Sequence, residues 1–425
     1  MGVLGRACGA ALALVLTGFA ARAADREATI DAGAGAQLHG ALRVPDGWTG
    51  GPAVLMVPGS GAPDRDGNTA AAGFFGNNLK LLADGPEAAS GLAGSVSMLA
   101  NEANRFWVAF YDGFLGRVSV PLFMIVSAFL LVPMKPGQTM EQFYKRRFLR
   151  ILPPMLAFML IYTFLPLAWG GMSWEQSLAD LKRLPFNFPS MAGHLWFMYP
   201  LISLYLIIPI VSPWLEKSTA REERIFLGLF VISTFIPWIH RFITAEVWGE
   251  CFWNGFGALW YCSGFLGYLV LAHYIHYHLD WSRSRKLIVG WSCFIAGAAF
   301  TGWSFWYKGV PGQIIETPAL EWAWEFCTPN VLLATSGIFL VFSCIEKAQT
   351  PRLVAALSKY SFGMYLMHLL FLAPIASWII GGSPASPSIP VWLAIPAIAV
   401  LTYICCAITT HLLSKIPGSK WIIGC

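Results

Sequence analysis

The chain has 425 residues, of which 56% are hydrophobic and only 12% charged, and it holds 19 Trp and 30 Phe. Soluble domains carry roughly 25% charged residues, so the deficit excludes an ordinary soluble enzyme and points to a protein solvated by the lipid bilayer. The net charge of +5 is therefore no signal of a nucleic-acid partner; what matters is where each Lys and Arg sits.

Residues 1–24 read as a secretory signal peptide. Arg6 supplies the positive start, CGAALALVLTGFA the apolar core, and Ala21-Arg22-Ala23 a small-x-small cleavage site; an uncleaved transmembrane anchor is the alternative. Residues 25–90 are rich in Gly, Ala and Asp. Two short strand-like runs, AQLHGALRV (36–44) and PAVLMVP (52–58), lead through GSGAPDRDGN into an apolar-periodic FFGNNLKLLADG. Strand, Gly-rich loop and helix resemble the opening of a secreted α/β-hydrolase. No G-x-S-x-G nucleophile elbow occurs in the chain, and about 60 residues are too few to cover such a sheet, so this stretch is expected to be a truncated fragment without hydrolase chemistry.

Residues 91–116, with Asn101, Glu102, Asn104, Arg105 and Asp112, read as a polar linker into a membrane domain over 117–425. Nine apolar runs there are long enough to cross ~30 Å of hydrocarbon: 118–133, 151–169, 195–212, 225–240, 255–273, 287–307, 326–345, 360–381 and 390–412. The expected fold class is thus an all-α polytopic membrane protein with about nine transmembrane helices after an N-terminal signal and a small Gly/Ala-rich α/β-like fragment. With Arg117 outside, the inner loops hold Lys135, Lys145, Arg146, Arg147 and Arg150, then Lys217, Arg221 and Arg224, then Arg283, Arg285 and Lys286, then Lys347, Arg352 and Lys359, and finally Lys415 and Lys420. The outer loops hold only Lys182, Arg183, Arg241 and Lys308. Positive residues stay on the cytoplasmic side, so the expected orientation has the N-terminal segment periplasmic and the C-terminus cytoplasmic in a bacterial inner membrane.

Four motifs within this domain carry a resemblance. RVSVPLFMIVSAFLL (117–131) leads into a basic segment with Arg147-Phe148-Leu149-Arg150, and HLWFMYPLISLYLIIP (194–209), SFGMYLMH (361–368) and SKIPGSKWIIG (414–424) follow in order. The stretch resembles the acyltransferase-3 family of bacterial integral-membrane enzymes, which O-acylate cell-surface glycans. The resemblance implies a transferase that moves an acyl group, most often acetyl, from a cytoplasmic acyl-CoA such as acetyl-CoA to a hydroxyl of an exported glycan or glycolipid. Arg147 and Arg150, at i and i+3, share a helix face with Arg146 beside them, and guanidinium forks suit the phosphates of that donor. His368, deep in an apolar run, and His194, at the entry to one, are the candidate catalytic residues lining the acyl path; a histidine hydrogen-bonded to a neighbouring helix is the plainer reading of each.

Glu321 and Glu325 are four apart at the outer end of a span and are candidates for the acceptor side, with a solvated rim as the alternative. His273, His276 and His278, followed by Asp280, invite a metal reading, but histidines at a helix C-terminus also favour the helix dipole, and no metal is expected. Cys251 and Cys327 are candidates for a disulfide. The family's first helix carries an Arg and, eleven residues later, the histidine regarded as its base; here no histidine lies between His39 and His194. Acetyl transfer impaired by that loss, a non-catalytic remnant and a glycan or lipid transporter without acyl chemistry are the three readings that remain.

Overall fold

A computed structural model of the chain describes residues 23–31, 37–45, 101–244, 246–251, 254–310, 323, 325–345, 351–380 and 389–424. Near the N-terminus, β1 (Ala23–Asp31) pairs antiparallel with β2 (Gln37–Pro45), with Thr29 opposite His39. The second strand thus falls on the expected 36–44 run. The expected signal core, the run 52–58, the Gly-rich loop and the helix at 74–85 lie outside the described residues.

Everything described from residue 101 onward is helical or connects helices. The main helices are α1 (Glu102–Leu131), α2 (Met140–Phe164), α3 (Trp174–Arg183), α4 (Met198–Leu215), α5 (Ala220–Ser233), α6 (Ile236–Phe242), α7 (Phe265–Tyr277), α8 (Arg283–Lys308), α9 (Pro329–Phe342), α10 (Arg352–Ile380), α11 (Val391–Leu413) and α12 (Lys420–Ile423). Three of them open on a capping box. Thr139, Ser173 and Thr219 each accept a backbone N–H with their hydroxyl, while Gln142, Gln176 and Glu222 reach back to the cap backbone.

Each of the nine expected runs contains helix, but among the described residues seven helices are long and apolar enough to cross a membrane. The exceptions are α7 and α9, of 13 and 14 residues, about 20 Å each at a rise of roughly 1.5 Å per residue. A helix through 255–273 is interrupted at Ser263-Gly264, where Gly264 has φ +69°, and the start of α9 is set by Thr328-Pro329. Both short helices are enclosed: Tyr268 on α7 and Val331 on α9 are fully buried. At the other extreme the stretch 102–116, expected as a linker, is helix. Asn101 caps it, a π-helical segment runs over Ala109–Gly116, and it continues into the first span.

The outward faces are as apolar as the interior. On α11, Val400, Ile404, Ile408 and Leu412 form an i, i+4 stripe that is 46–57% exposed. Such a stripe facing water costs free energy, whereas facing acyl chains it does not; the chain is a multi-pass membrane protein. Between helices the contacts are close. A Cβ on Gly337 of α9 would stand 2.4 Å from the Phe294 backbone nitrogen and 2.5 Å from the Gly290 carbonyl oxygen of α8, so only glycine lets these helices approach. Asn330 adds a buried polar bridge, donating from Nδ2 to Thr301 Oγ1 (2.7 Å) and to the Ala323 carbonyl (2.6 Å). Cys251 and Cys327, the candidates for a disulfide, are both free thiols.

Candidate active site

The loop before α4 does not stay at the rim. Asp180 on α3, 4% exposed, accepts hydrogen bonds from both the backbone N–H and the hydroxyl of Ser190, each at 2.8 Å. That anchor turns the chain inward, and a 3-10 turn over Gly193–Phe197 carries His194 into the bundle, where it is 7% exposed. His368 is 1% exposed on α10. The two imidazoles lie edge to face with ring centroids 4.7 Å apart.

Backbone carbonyls fix both rings. His194 Nε2 lies 3.2 Å from the Leu366 carbonyl oxygen, and His368 Nδ1 lies 2.6 Å from that of Tyr365. A carbonyl only accepts, so each facing nitrogen carries the proton. In the neutral rings His194 Nδ1 and His368 Nε2 are then the basic nitrogens. Tyr365 donates its hydroxyl to the His194 carbonyl (2.5 Å), and Tyr162 of α2 donates to the Leu366 carbonyl (3.1 Å). Tyr365 and Tyr162 thus serve to lock the histidine pair. Phe123 of α1 closes one side, edge-on to Phe197 at 5.1 Å.

The basic segment occupies the first turns of α2. Arg146 is exposed, while Arg147 and Arg150 are half-buried. The Arg147 guanidinium lies 5.6 Å from the Phe143 ring centre, and its Nε is buried without a hydrogen-bond partner. Against this segment sits α12, from the C-terminal motif. Gly424, at φ +72°, comes so close that a Cβ there would stand 2.5 Å from the Phe362 ring and 3.4 Å from the Arg150 carbonyl. A Cβ on Gly363 would meet the Ile423 carbonyl oxygen at 3.0 Å. The basic segment, SFGMYLMH and SKIPGSKWIIG, far apart in the chain, therefore form one packed corner. His368 stands on the same helix as that corner, little more than one turn beyond Gly363.

Other expected residues fall elsewhere. Glu321 lies outside the described residues, and Glu325 is exposed in the non-helical segment before α9. His276 packs edge-on against Phe129, while His273 and His278 converge on Glu223 of α5. Sequence reasoning also missed Asp112. It is fully buried and paired with Arg117 at 3.0 Å, and the available signal was an acid five residues before that arginine, inside the apolar stretch WVAFYDGFLGRVSVPLF.

Comparison with known proteins assigns most of the chain to one family. A family model described as an acyltransferase domain matches residues 90–411, which takes in α1 and both histidines. The "Putative membrane-bound acyltransferase YfiQ" of Bacillus subtilis (strain 168) is 24% identical over 326 residues, covering 72% of this chain and 81% of the relative. No solved structure matches. With its acyltransferase domain extending over most of its length, the chain belongs to the acyltransferase-3 family of membrane acyltransferases.

Proposed function

We propose that this chain transfers an acyl group, acetyl in the simplest case, from acyl-CoA on the cytoplasmic face to a hydroxyl of an exported cell-surface glycan or glycolipid. The observation that carries the reading is the buried His194–His368 pair, with each ring oriented by a carbonyl that sets which of its nitrogens is basic. One histidine takes the proton of the acceptor hydroxyl as that oxygen bonds to the acyl carbon. The carbon–sulfur bond breaks, and the departing CoA thiolate recovers a proton. Arg147 and Arg150, with Arg146 at the rim, hold the phosphates of the donor. Glu325, with Glu321, serves the acceptor side. The nine helical runs alternate across the bacterial inner membrane, with the basic segment and the C-terminus inside, as the distribution of Lys and Arg requires.

A second reading rests on a specific observation. The first described span carries Arg105, but eleven residues on stands Gly116 rather than histidine. A chain lacking the family's usual base would bind donor and transfer little. Membranes given labelled acetyl-CoA and host surface glycans separate these readings. Transfer that disappears in His194→Ala and His368→Ala supports the histidine pair. Donor binding without transfer supports the non-catalytic remnant, and glycan movement without consumption of acetyl-CoA supports a transporter.

A further inference from the structure

A second cluster of chemistry-bearing side chains lies apart from the histidine pair, where the first turn of α5 meets the end of α7. Glu223 is fully buried, His273 is 4% exposed, and the half-buried His278 side chain opens toward solvent. His273 Nδ1 stands 2.7 Å and His278 Nε2 3.1 Å from the same oxygen, Glu223 Oε1, to which Ser218 Oγ also donates at 2.5 Å. The second carboxylate oxygen, Oε2, is buried and accepts no hydrogen bond. One ligand atom from each of the three residues lies within 4.8 Å of the others.

From this geometry we propose that Glu223, His273 and His278 bind a divalent transition-metal ion of the zinc class. Two imidazole nitrogens and one carboxylate oxygen are a donor set that such ions favour, with water completing the tetrahedron. At zinc bond lengths of about 2.0–2.1 Å, neighbouring tetrahedral donors stand ~3.3 Å apart. From their hydrogen-bonded spacings of 2.7 and 3.1 Å to Oε1 the two nitrogens need to move out by only about 0.6 and 0.2 Å. The ion takes the place of the protons that the two rings now share with Oε1, which pass to the opposite ring nitrogens or are released to solvent, and it gives Oε2 a partner of opposite charge. Its entry is from the side of His278. The site is at the same end of the bundle as the loop joining α1 to α2: His276, on the same turn of α7, packs on Phe129 of α1, and the Met134 N–H donates to Ser212 Oγ of α4 at 3.2 Å. The ion fastens α7, one of the two short enclosed helices, to α5.

The test uses the full chain purified in detergent without a polyhistidine tag. Metal content is measured before and after chelation, and Co²⁺ is then titrated in while its ligand-field absorption is followed. About one ion per chain is expected, with tetrahedral absorption for Co²⁺ and a higher unfolding temperature with Zn²⁺ than without. His278→Ala and Glu223→Gln should raise the Kd at least ~10-fold, while His276→Ala, outside the donor set, keeps the native Kd. Should Glu223→Gln fail to fold, as monodispersity on size exclusion reveals, His278→Ala at the partly open position carries the test. A native chain that takes up no ion, or one whose uptake is the same in His278→Ala and Glu223→Gln as in the wild type, overturns the proposal.

Discussion

The imidazoles of His194 and His368 meet edge to face with ring centroids 4.7 Å apart, although one enters on a turn before α4 and the other stands midway along α10. Both are buried at a depth where a titratable side chain is expensive, so the site that holds them must return the cost in hydrogen bonds or in function. Both rings receive a carbonyl acceptor. Tyr365 ties the backbone of one to the helix of the other.

The first prediction concerns this pair. General-base assistance contributes a factor of ~10²–10⁴, so replacing the acting histidine by alanine should reduce acyl transfer by that range without releasing the protein from the membrane. Tyr365→Phe removes a hydrogen bond worth about 1 kcal/mol and should slow transfer several-fold. Initial rates with labelled acetyl-CoA in membrane preparations check both, and a Tyr365→Phe enzyme as impaired as His368→Ala would recast the tyrosine as a direct participant.

A second prediction concerns the donor. Loss of one charge-assisted hydrogen bond is worth roughly 1.5–3 kcal/mol, so Arg147→Ala and Arg150→Ala should each weaken acetyl-CoA binding about tenfold or more. Lysine at either position should recover only part of that, because the planar fork is gone. Equilibrium binding to purified protein is the measurement. Unchanged affinity in both alanine variants would leave the segment as a topology signal alone.

A third prediction follows from the corner where α12 lies on α2 and α10. A side chain at Gly424 meets the Phe362 ring and forces an L residue into a left-handed backbone conformation. Gly424→Val should therefore displace α12, expose the Arg147–Arg150 segment and weaken donor binding, with the spans still inserted. Limited proteolysis at the C-terminus, alongside acetyl-CoA binding, reads the two effects separately.

These predictions use both what the sequence displays and what it hides. The spans were legible because hydrocarbon demands long uncharged runs, and the family motifs marked Arg147, Arg150, His194 and His368 one by one. The meeting of the two histidines was not legible, since nothing local says that the turn at 193–197 folds inward; that depends on Asp180 gripping Ser190 across the loop. The length of α7 was misjudged because hydropathy ignores a Ser-Gly break inside an apolar run. Residues 102–116 read as a linker because Asn101, Glu102, Arg105 and Asp112 lower the hydropathy. Yet Asn101 is an N-cap, Arg105 reaches the Gly309 carbonyl at 2.8 Å, and Asp112 has a buried partner. Nothing local marks Glu223, which stands between Arg221 and Arg224 in sequence, as the residue to which α7 brings two histidines.

The last prediction tests the pair that the polar lead-in concealed. Asp112 and Arg117 stand 3.0 Å apart on α1, the carboxylate fully buried and the guanidinium nearly so. Arg117 also lies 5.7 Å from the ring centre of Phe305 on α8. Removing one partner strands the other charge in a medium that solvates it poorly, a cost of about 3–5 kcal/mol, whereas replacing both with apolar residues of similar volume is often neutral. Asp112→Leu and Arg117→Met should each lower the unfolding temperature of the detergent-purified protein sharply, and the double variant should recover most of the loss. The cycle has a second use. If the pair only holds α1 in its groove, acyl transfer in the double variant returns along with stability. Stability restored without transfer would instead place Asp112 and Arg117 on the path of the acyl group or its acceptor.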